Sequence, residues 1–358
     1  MRLEHTDHRE DPAAWARELD VSREAVDLYL SSDVIDLHVD SFIWTRVFGY
    51  DLRTRHDHGL LGATFYSQVD FPRILEANVT GATWVITTNP FKVASERRSA
   101  FAENLASLKD IFASVDDDFA LVKTAAEYRA ARAAGKHGAF LGIQGGSALD
   151  VSDDALDVLA DRSILRVTLV HLTSSSLGAT SSPLRGKNDP GLTAKGRDFV
   201  RKLQSMKVFV DLAHVSTQGF WDAIDASDKT SPIMVTHTGV RGVHDHWRNL
   251  DDDQIRAVAK TGGTMGVMFE PTFLGDPKFG GKAESIVRHL EHIAKVAGDD
   301  YASLGSDFDG AIATPRDMKT CLELPVLVEI MLKRGWKEDR VRKVLGQNFL
   351  RVVEALRG

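Results

Sequence analysis

Residues 34–40 read Val-Ile-Asp-Leu-His-Val-Asp, a short apolar run that ends in polar side chains. Seven more runs of this kind follow, each leading into a longer segment with helical spacing. These runs are Ala82–Thr88, Ala139–Gln144, Leu165–His171, Val208–His214, Ile233–His237, Thr264–Phe269 and Ala302–Asp307. Eight near-continuous apolar strands that alternate with amphipathic helices predict the α/β class and, within it, a (β/α)8 TIM barrel.

Helix signals lie between these runs. A capping-box pattern at Thr124 and Glu127 opens a helix that closes at Gly135, and an apolar helical face ends at Gly298. The rival fold is a doubly wound open sheet, but no GxGxxG or GxxxxGK[ST] motif supports a nucleotide-binding version of it. We therefore expect an N-terminal helical extension in residues 1–30, a single barrel domain over residues 31–358, and a closing helix over residues 337–357.

Composition narrows the function. The chain has 358 residues, with 44 Lys and Arg against 51 Asp and Glu, so its net charge of −7 argues against nucleic acid as a partner. No run approaches the roughly 18 apolar residues of a spanning helix, and the N-terminus has no signal-like apolar region, so we expect no membrane partner and a cytoplasmic location. With Cys321 as the only cysteine, any metal must be bound by His, Asp or Glu.

Polar side chains fall at the ends of the predicted strands, where a barrel of this type places its chemistry. His38 and Asp40 are two residues apart, which puts both side chains on one face of the first strand. The other polar strand ends are Gln144, His171, Asp211 with His214, His237, and Asp307 with Asp309. This coincidence predicts a shared metal site, whereas His289 and His292 are expected on a solvated helix face.

Zinc is the metal that best matches His and carboxylate ligands, with cobalt, manganese or iron as alternatives. Two ions roughly 3.5–4 Å apart would polarise a carbonyl and lower the pKa of a shared water. Asp307, at the last strand, suits a general base that takes the water's proton and passes it to a leaving amine. The pattern predicts metal-assisted hydrolysis, by a chain that holds one or two Zn²⁺.

In combination the motifs resemble the renal (membrane) dipeptidase family, peptidase M19 of the amidohydrolase superfamily. The similarity extends from about residue 30 to the end of the chain. It is carried by Ile35–Asp40, Gly142–Gly146, Val208–Ser216, Ile233–Thr238, Arg248–Asn249, Leu304–Gly310 and Gly346–Arg351. The resemblance implies a metal-dependent hydrolase barrel, a small dipeptide substrate that can carry a C-terminal D-residue, and a homodimer.

The resemblance also implies a role for individual residues. His38 and Asp40 would bind a first zinc, and His214 and His237 a second one. His171 would contact the substrate and stabilise the oxyanion, Arg248 would bind the substrate's C-terminal carboxylate, and Asp307 would be the catalytic acid and base. A guanidinium matches a carboxylate bidentately, which agrees with that role for Arg248.

Gln144 departs from the family pattern, which has a glutamate that bridges the two metals at this strand end. A neutral amide is a weaker metal ligand and leaves the site with one more positive charge. The second metal should therefore bind more weakly. Three outcomes stay open: a mononuclear enzyme, a dinuclear enzyme in which another ligand makes up the deficit, or a barrel that binds without hydrolysing. The substrate could also be another small amide, an N-acyl amino acid or a lactone.

Overall fold

The computed structural model describes residues 1–59, 61–88, 94–150, 153–183 and 188–358. Within these ranges, one sheet contains nine parallel strands. The strands are β1 Ile35–Val39, β2 Gly81–Thr87, β3 Phe119–Leu121, β4 His137–Gln144, β5 Ile164–Thr168, β6 Phe209–Asp211, β7 Met234–Thr238, β8 Thr264–Val267 and β9 Ala302–Leu304. Each of the eight predicted runs overlaps a strand.

The sheet closes on itself, because β2 pairs with β1 on one side and with β4 on the other. The β2–β4 pairing runs in register from Gly81 opposite Gly138 to Thr87 opposite Gln144. The remaining strands follow in the order β1, β9, β8, β7, β6, β5 and β4. The predicted (β/α)8 TIM barrel is confirmed, with all strand C-termini at one mouth.

The short strand β3 was not predicted. It pairs with His137–Ala139 at the start of β4, whereas β5 pairs with β4 only from Leu141 onward. β3 therefore occupies an edge that the next barrel strand leaves free. Three residues are too few to give a recognisable period in the sequence.

Helices surround the barrel. They are α1 Pro12–Glu18, α2 Arg23–Leu30, α3 Phe42–Phe48, α4 Phe71–Glu76, α5 Ala94–Ala113, α6 Ala125–Ala133, α7 Ala194–Ser205, α8 Thr217–Ala226, α9 Asp252–Lys260, α10 Ala283–Ala297, α11 Pro325–Lys333, α12 Glu338–Arg342 and α13 Asn348–Arg357. The Thr124 side chain caps α6 by accepting from the amide of Glu127, and α10 ends at Gly298 with φ of 105°. Both boundaries agree with the sequence signals.

Both terminal helices differ from the prediction. The first 30 residues form two helices, α1 and α2, and the closing segment contains a π-helical turn, Lys343–Gln347, between α12 and α13. Helix α13 covers the N-terminal end of the barrel: Arg357 donates to the carbonyl of Ile164, and Arg351 to those of Gly262 and Gly263. The polar strand ends lie at the opposite end of the barrel.

The N-terminal helices pack on the barrel. Trp15 of α1 and Tyr29 of α2 are buried, and the Tyr29 hydroxyl donates to the carbonyl of Ala77 at 2.7 Å. The domain boundary at residue 30 stays a prediction. Among the described helices, none is both long enough and apolar enough to cross a membrane.

Candidate metal centre

Donor atoms from three strands converge at the mouth of the barrel. Nε2 of His38 lies 3.4 Å from Oδ2 of Asp40 and 3.5 Å from Oδ1 of Asp307. His38, His237 and Asp307 are all buried, and their ligand atoms lie within 4.8 Å of one another. Ligands about 2.0–2.2 Å from a tetrahedral ion are about 3.3–3.6 Å apart, so the 3.4 Å and 3.5 Å distances from His38 fit shared coordination of one metal ion.

His214 lies next to this group. Its Nε2 atom lies 2.8 Å from Nε2 of His237, with both rings buried. We call His214 and His237 the histidine pair. His214 and Asp307 have positive φ angles of 65° and 63°, which strain a residue other than glycine by about 1–3 kcal/mol. Both residues follow a strand and turn toward the barrel mouth. Such strain at two polar residues that follow strands supports a functional role for this end.

The proposed ligands are held by further polar contacts. Thr87 donates to Oδ1 of Asp40 at 2.5 Å, and Thr236 lies 3.0 Å from Nδ1 of His237. His38 has a less expected neighbour: Nη2 of Arg166 lies 2.6 Å from its Nδ1 atom. Arg166 was not predicted as a site residue, although a charged residue inside the apolar run Leu165–His171 was a visible signal.

Gln144 lies at the end of β4, as predicted. It is 2% exposed, and its Oε1 atom has no hydrogen-bond partner among the described residues. Nδ1 of His214 and Nδ1 of His171 are buried and lack such a partner as well. Buried polar atoms are almost always paired, so these three leave room for a ligand, an ion or water.

His171 lies beside this group. Its ring centroid is 4.7 Å from that of His214, with the two rings edge to face. A cavity of about 70 Å³ extends from His171 along Gly145 and Ser147 to the segment 173–176. His171 therefore contacts His214 and also lines this small cavity.

Arg248 is also brought to the site, from the loop between β7 and α9. Its Nη2 atom donates to the carbonyl of His237 at 2.7 Å, whereas its buried Nε atom has no partner in the described part of the chain. Burial lowers the pKa of Arg248 to about 10, so the guanidinium stays charged at neutral pH. The structure therefore places a cation with an unused donor next to the histidine pair.

Burial also shifts the pKa values of the other titratable groups at the barrel mouth. It raises the pKa of Asp307 well above its usual value, and the charge of Asp40 adds to that shift, while Arg248 opposes it. Burial also lowers the pKa of His171 to about 4, and those of His214 and His237 well below their usual range. The imidazoles are therefore neutral at pH 7, as metal ligands must be.

One histidine expectation was wrong. His289 is fully buried rather than on a solvated face: its Nδ1 accepts from the amide of Val240 at 2.8 Å, and its Nε2 lies 3.3 Å from the carbonyl of Leu274. His292 is partly exposed and lies 2.7 Å from Asp252. Loop residues from outside the helix cover His289, which helical periodicity alone does not reveal.

Comparison with known proteins finds relatives with a similar sequence and solved structures with a similar fold. A Klebsiella pneumoniae protein described as an uncharacterized protein in the pqqA 5′ region is 35% identical over 171 residues, 46% of this chain and 61% of that relative. The match thus spans less than two thirds of the relative's length. A solved structure described as dipeptidase AC, a metallo peptidase of family M19, has 26% identity and a TM-score of 0.78 over 91% of this chain and 99% of that one.

A second solved structure has the same fold. It is a metallo peptidase from Rhodobacter sphaeroides, liganded with a phosphinate mimic of the dipeptide L-Ala-D-Ala, with 24% identity and a TM-score of 0.78 over 91% of this chain and 99% of that one. The sequence model of the family described as membrane dipeptidase (peptidase family M19) matches residues 22–357, nearly the whole chain. The resemblance seen in the sequence is confirmed, and the chain belongs to the membrane dipeptidase family, peptidase family M19.

Proposed function

We propose that this chain is a zinc-dependent dipeptidase that hydrolyses the amide bond of dipeptides, including those with a C-terminal D-residue. The observation that carries the proposal is the convergence of His38, His237 and Asp307 at the barrel mouth. Membership of a dipeptidase family supports it. A homodimer stays a prediction.

The metal would be held by His38, Asp40, His214 and His237, with Gln144 offering a neutral oxygen. When bound, one or two zinc ions would polarise the scissile carbonyl and lower the pKa of a bound water. The donor set of imidazoles and carboxylates suits zinc. Gln144 weakens the second position because it lacks the charge of a carboxylate.

Asp307 would act as the base and then as the acid. Its pKa is raised by burial and by Asp40, which makes its carboxylate a better proton acceptor than an exposed aspartate. One carboxylate oxygen of Asp307, Oδ1 or Oδ2, would take a proton from water. The same oxygen would then pass this proton to the nitrogen of the leaving amine. One residue thereby serves both halves of the hydrolysis.

Two residues would bind the substrate. Arg248 would pair with the C-terminal carboxylate, since a dipeptide always carries one and a guanidinium matches it with two parallel hydrogen bonds. His171, neutral at pH 7, would donate one N–H to the oxyanion of the tetrahedral intermediate. Its contact with the ring of His214 and its place in the lining of the adjoining cavity support this role.

A substrate comparison tests the proposal. Initial rates are measured for the zinc-loaded chain on L,L- and L,D-dipeptides, N-acyl amino acids and small lactones at equal concentrations. We expect the highest kcat/KM on a dipeptide. A higher value on an N-acyl amino acid or a lactone would contradict the dipeptide assignment, and zinc binding without hydrolysis of any of them would favour a barrel impaired by Gln144.

A further inference from the structure

A second cavity lies at the barrel mouth, on the side of β1 and β2. Its volume is about 260 Å³, several times the roughly 30 Å³ that one water molecule occupies. Its lining includes Arg46 of α3, Thr88 after β2, and Arg97 and Glu103 of α5. We call it the arginine cavity. It shares Thr88 and Arg97 with the smaller cavity that His171 lines, so the two cavities adjoin.

Arg46 is held next to the proposed metal ligands. Its Nη2 atom donates to the carbonyl of Thr87 at 2.8 Å, and the hydroxyl of Thr87 donates to Oδ1 of Asp40 at 2.5 Å. Burial lowers the pKa of Arg46, and the nearby charge of Asp40 opposes that shift. A guanidinium has several N–H donors, so the contact with Thr87 leaves Arg46 with donors for a ligand in the cavity.

Arg97 brings a second guanidinium to the same cavity. Its Nε atom donates to the carbonyl of Ser147 at 3.2 Å, so a neutral backbone group helps to fix the side chain. Among the described residues of the lining, these two guanidiniums are accompanied by one carboxylate, that of the exposed Glu103. The excess of positive charge favours an anionic ligand, and a carboxylate matches a guanidinium with two parallel hydrogen bonds.

The position of the cavity indicates which part of a dipeptide would reach it. Arg248 follows β7, whereas Thr88 follows β2. These strands lie opposite each other in the barrel, because β1, β9 and β8 separate them on one side and β6, β5 and β4 on the other. A dipeptide with its C-terminal carboxylate on Arg248 and its scissile carbonyl at the metal centre would therefore extend its N-terminal residue toward β2.

We propose that the arginine cavity binds the side chain of the substrate's N-terminal residue, and that Arg46 and Arg97 select a carboxylate there. The preferred substrates are then dipeptides that begin with Glu or Asp. The inference rests on the proposed function, because it assigns a substrate class to the same site. A neutral side chain of the same shape would leave charged donors without their partner, which lowers its kcat/KM.

The test compares the dipeptides Glu-Ala and Gln-Ala, with the same stereochemistry in both, because the two differ only in the carboxylate. Values of kcat/KM are measured on the zinc-loaded chain. We expect a value at least ten-fold higher for Glu-Ala, as for a hydrogen bond to a charged group. Arg46→Gln should bring the two values to within about two-fold of each other. If Arg46→Gln does not fold, Arg97→Gln is measured in its place, with the same loss of preference expected.

Arg53→Gln is the matched control. Arg53 is an exposed arginine that pairs with Asp51, shortly after α3, and it is not among the residues that line the arginine cavity. This variant should keep the preference for Glu-Ala. It removes the same charge from the same part of the chain, so it separates a contact in the cavity from a general effect of net charge.

Three results would overturn the inference. The first is an equal kcat/KM for Glu-Ala and Gln-Ala in the unmodified chain. The second is a preference for Glu-Ala that is unchanged in the arginine variant. The third is a higher value for Lys-Ala than for Glu-Ala, which would assign the cavity to the carboxylate of Glu103.

The same preparations separate this inference from the proposed function. Dipeptide hydrolysis without a preference for Glu-Ala would overturn the role of the arginines and leave the dipeptidase proposal in place. If the zinc-loaded chain hydrolyses no dipeptide, titration calorimetry gives the Kd of each one. At least ten-fold tighter binding of Glu-Ala, lost in Arg46→Gln, would then support the inference while the dipeptidase proposal fails. A chain that neither binds nor hydrolyses these dipeptides would overturn both.

Discussion

The Nε2 atoms of His214 and His237 lie 2.8 Å apart, although the two residues follow different strands. Two neutral imidazoles this close share one hydrogen bond, in which one Nε2 donates and the other accepts, and both Nε2 atoms lie in the same region of the barrel mouth. Their convergence and that of His38 with Asp307 give the barrel a defined centre.

The histidine pair predicts where zinc binds. We expect His237→Ala to weaken zinc binding by more than the roughly 10–100-fold typical of losing an outer contact, because it removes a ligand. His289→Gln is the matched control, since His289 is equally buried but contacts only backbone groups. Chelator competition gives the zinc affinity of both variants. An equal loss of zinc affinity in the two variants would contradict the role of His237 as a metal ligand.

We expect a single substitution at Gln144 to strengthen the binding of a second zinc ion. Gln144→Glu restores a carboxylate among the donors and should lower the Kd of a second zinc by about ten-fold, equivalent to about 1.4 kcal/mol, with faster dipeptide hydrolysis. Gln144→Met removes the oxygen without adding charge and should show neither effect. If affinity and rate are the same in Gln144→Glu as in the unmodified chain, the charge argument is wrong.

Arg248 predicts a selective loss of binding. Arg248→Ala should raise KM for dipeptides about 10–100-fold, because a charged hydrogen bond contributes about 1.5–3 kcal/mol. The same dipeptides with an amidated C-terminus should be affected little. Arg256→Ala, on the exposed side of α9, serves as the control. If Arg248→Ala raises KM equally for the acid and the amidated dipeptides, Arg248 does not bind the substrate carboxylate.

His137 predicts part of the acid sensitivity of the fold. Its ring accepts from Trp84 at 3.2 Å and lies 2.7 Å from the carbonyl of Val79, and burial lowers its pKa from 6.5 to about 4. As the pH falls, His137 is therefore protonated at a higher pH in the unfolded chain than in the folded chain. The stabilising contribution is complete above pH 6.5 and is lost as the pH falls to 4, by about 3 kcal/mol.

The measurement is the unfolding free energy between pH 7 and pH 4.5 for His137→Gln, whose amide can both donate and accept without titrating. We expect a smaller loss of stability over this range than in the unmodified chain. His58→Gln, the same substitution at an exposed loop residue, is the matched control. Identical curves for His137→Gln and the unmodified chain would contradict the prediction.

The sequence predicted the barrel well, because each strand run is apolar and ends in a polar residue where the chain reaches the mouth. It predicted His38, Asp40, Gln144 and His214 at the right ends for the same reason. Arg166 could not be interpreted in this way. Its direction is known only once the sheet closes and β5 faces β1 across the interior.

Metal-dependent dipeptide hydrolysis is tested most directly by returning zinc to metal-depleted protein while amino acid release is measured. The panel contains L,L- and L,D-dipeptides, and zinc per chain is determined on the same samples. The account predicts no turnover without metal and turnover that rises in proportion to bound zinc until the site is filled. Release that is independent of zinc, or no release from any dipeptide by the zinc-loaded chain, would contradict it.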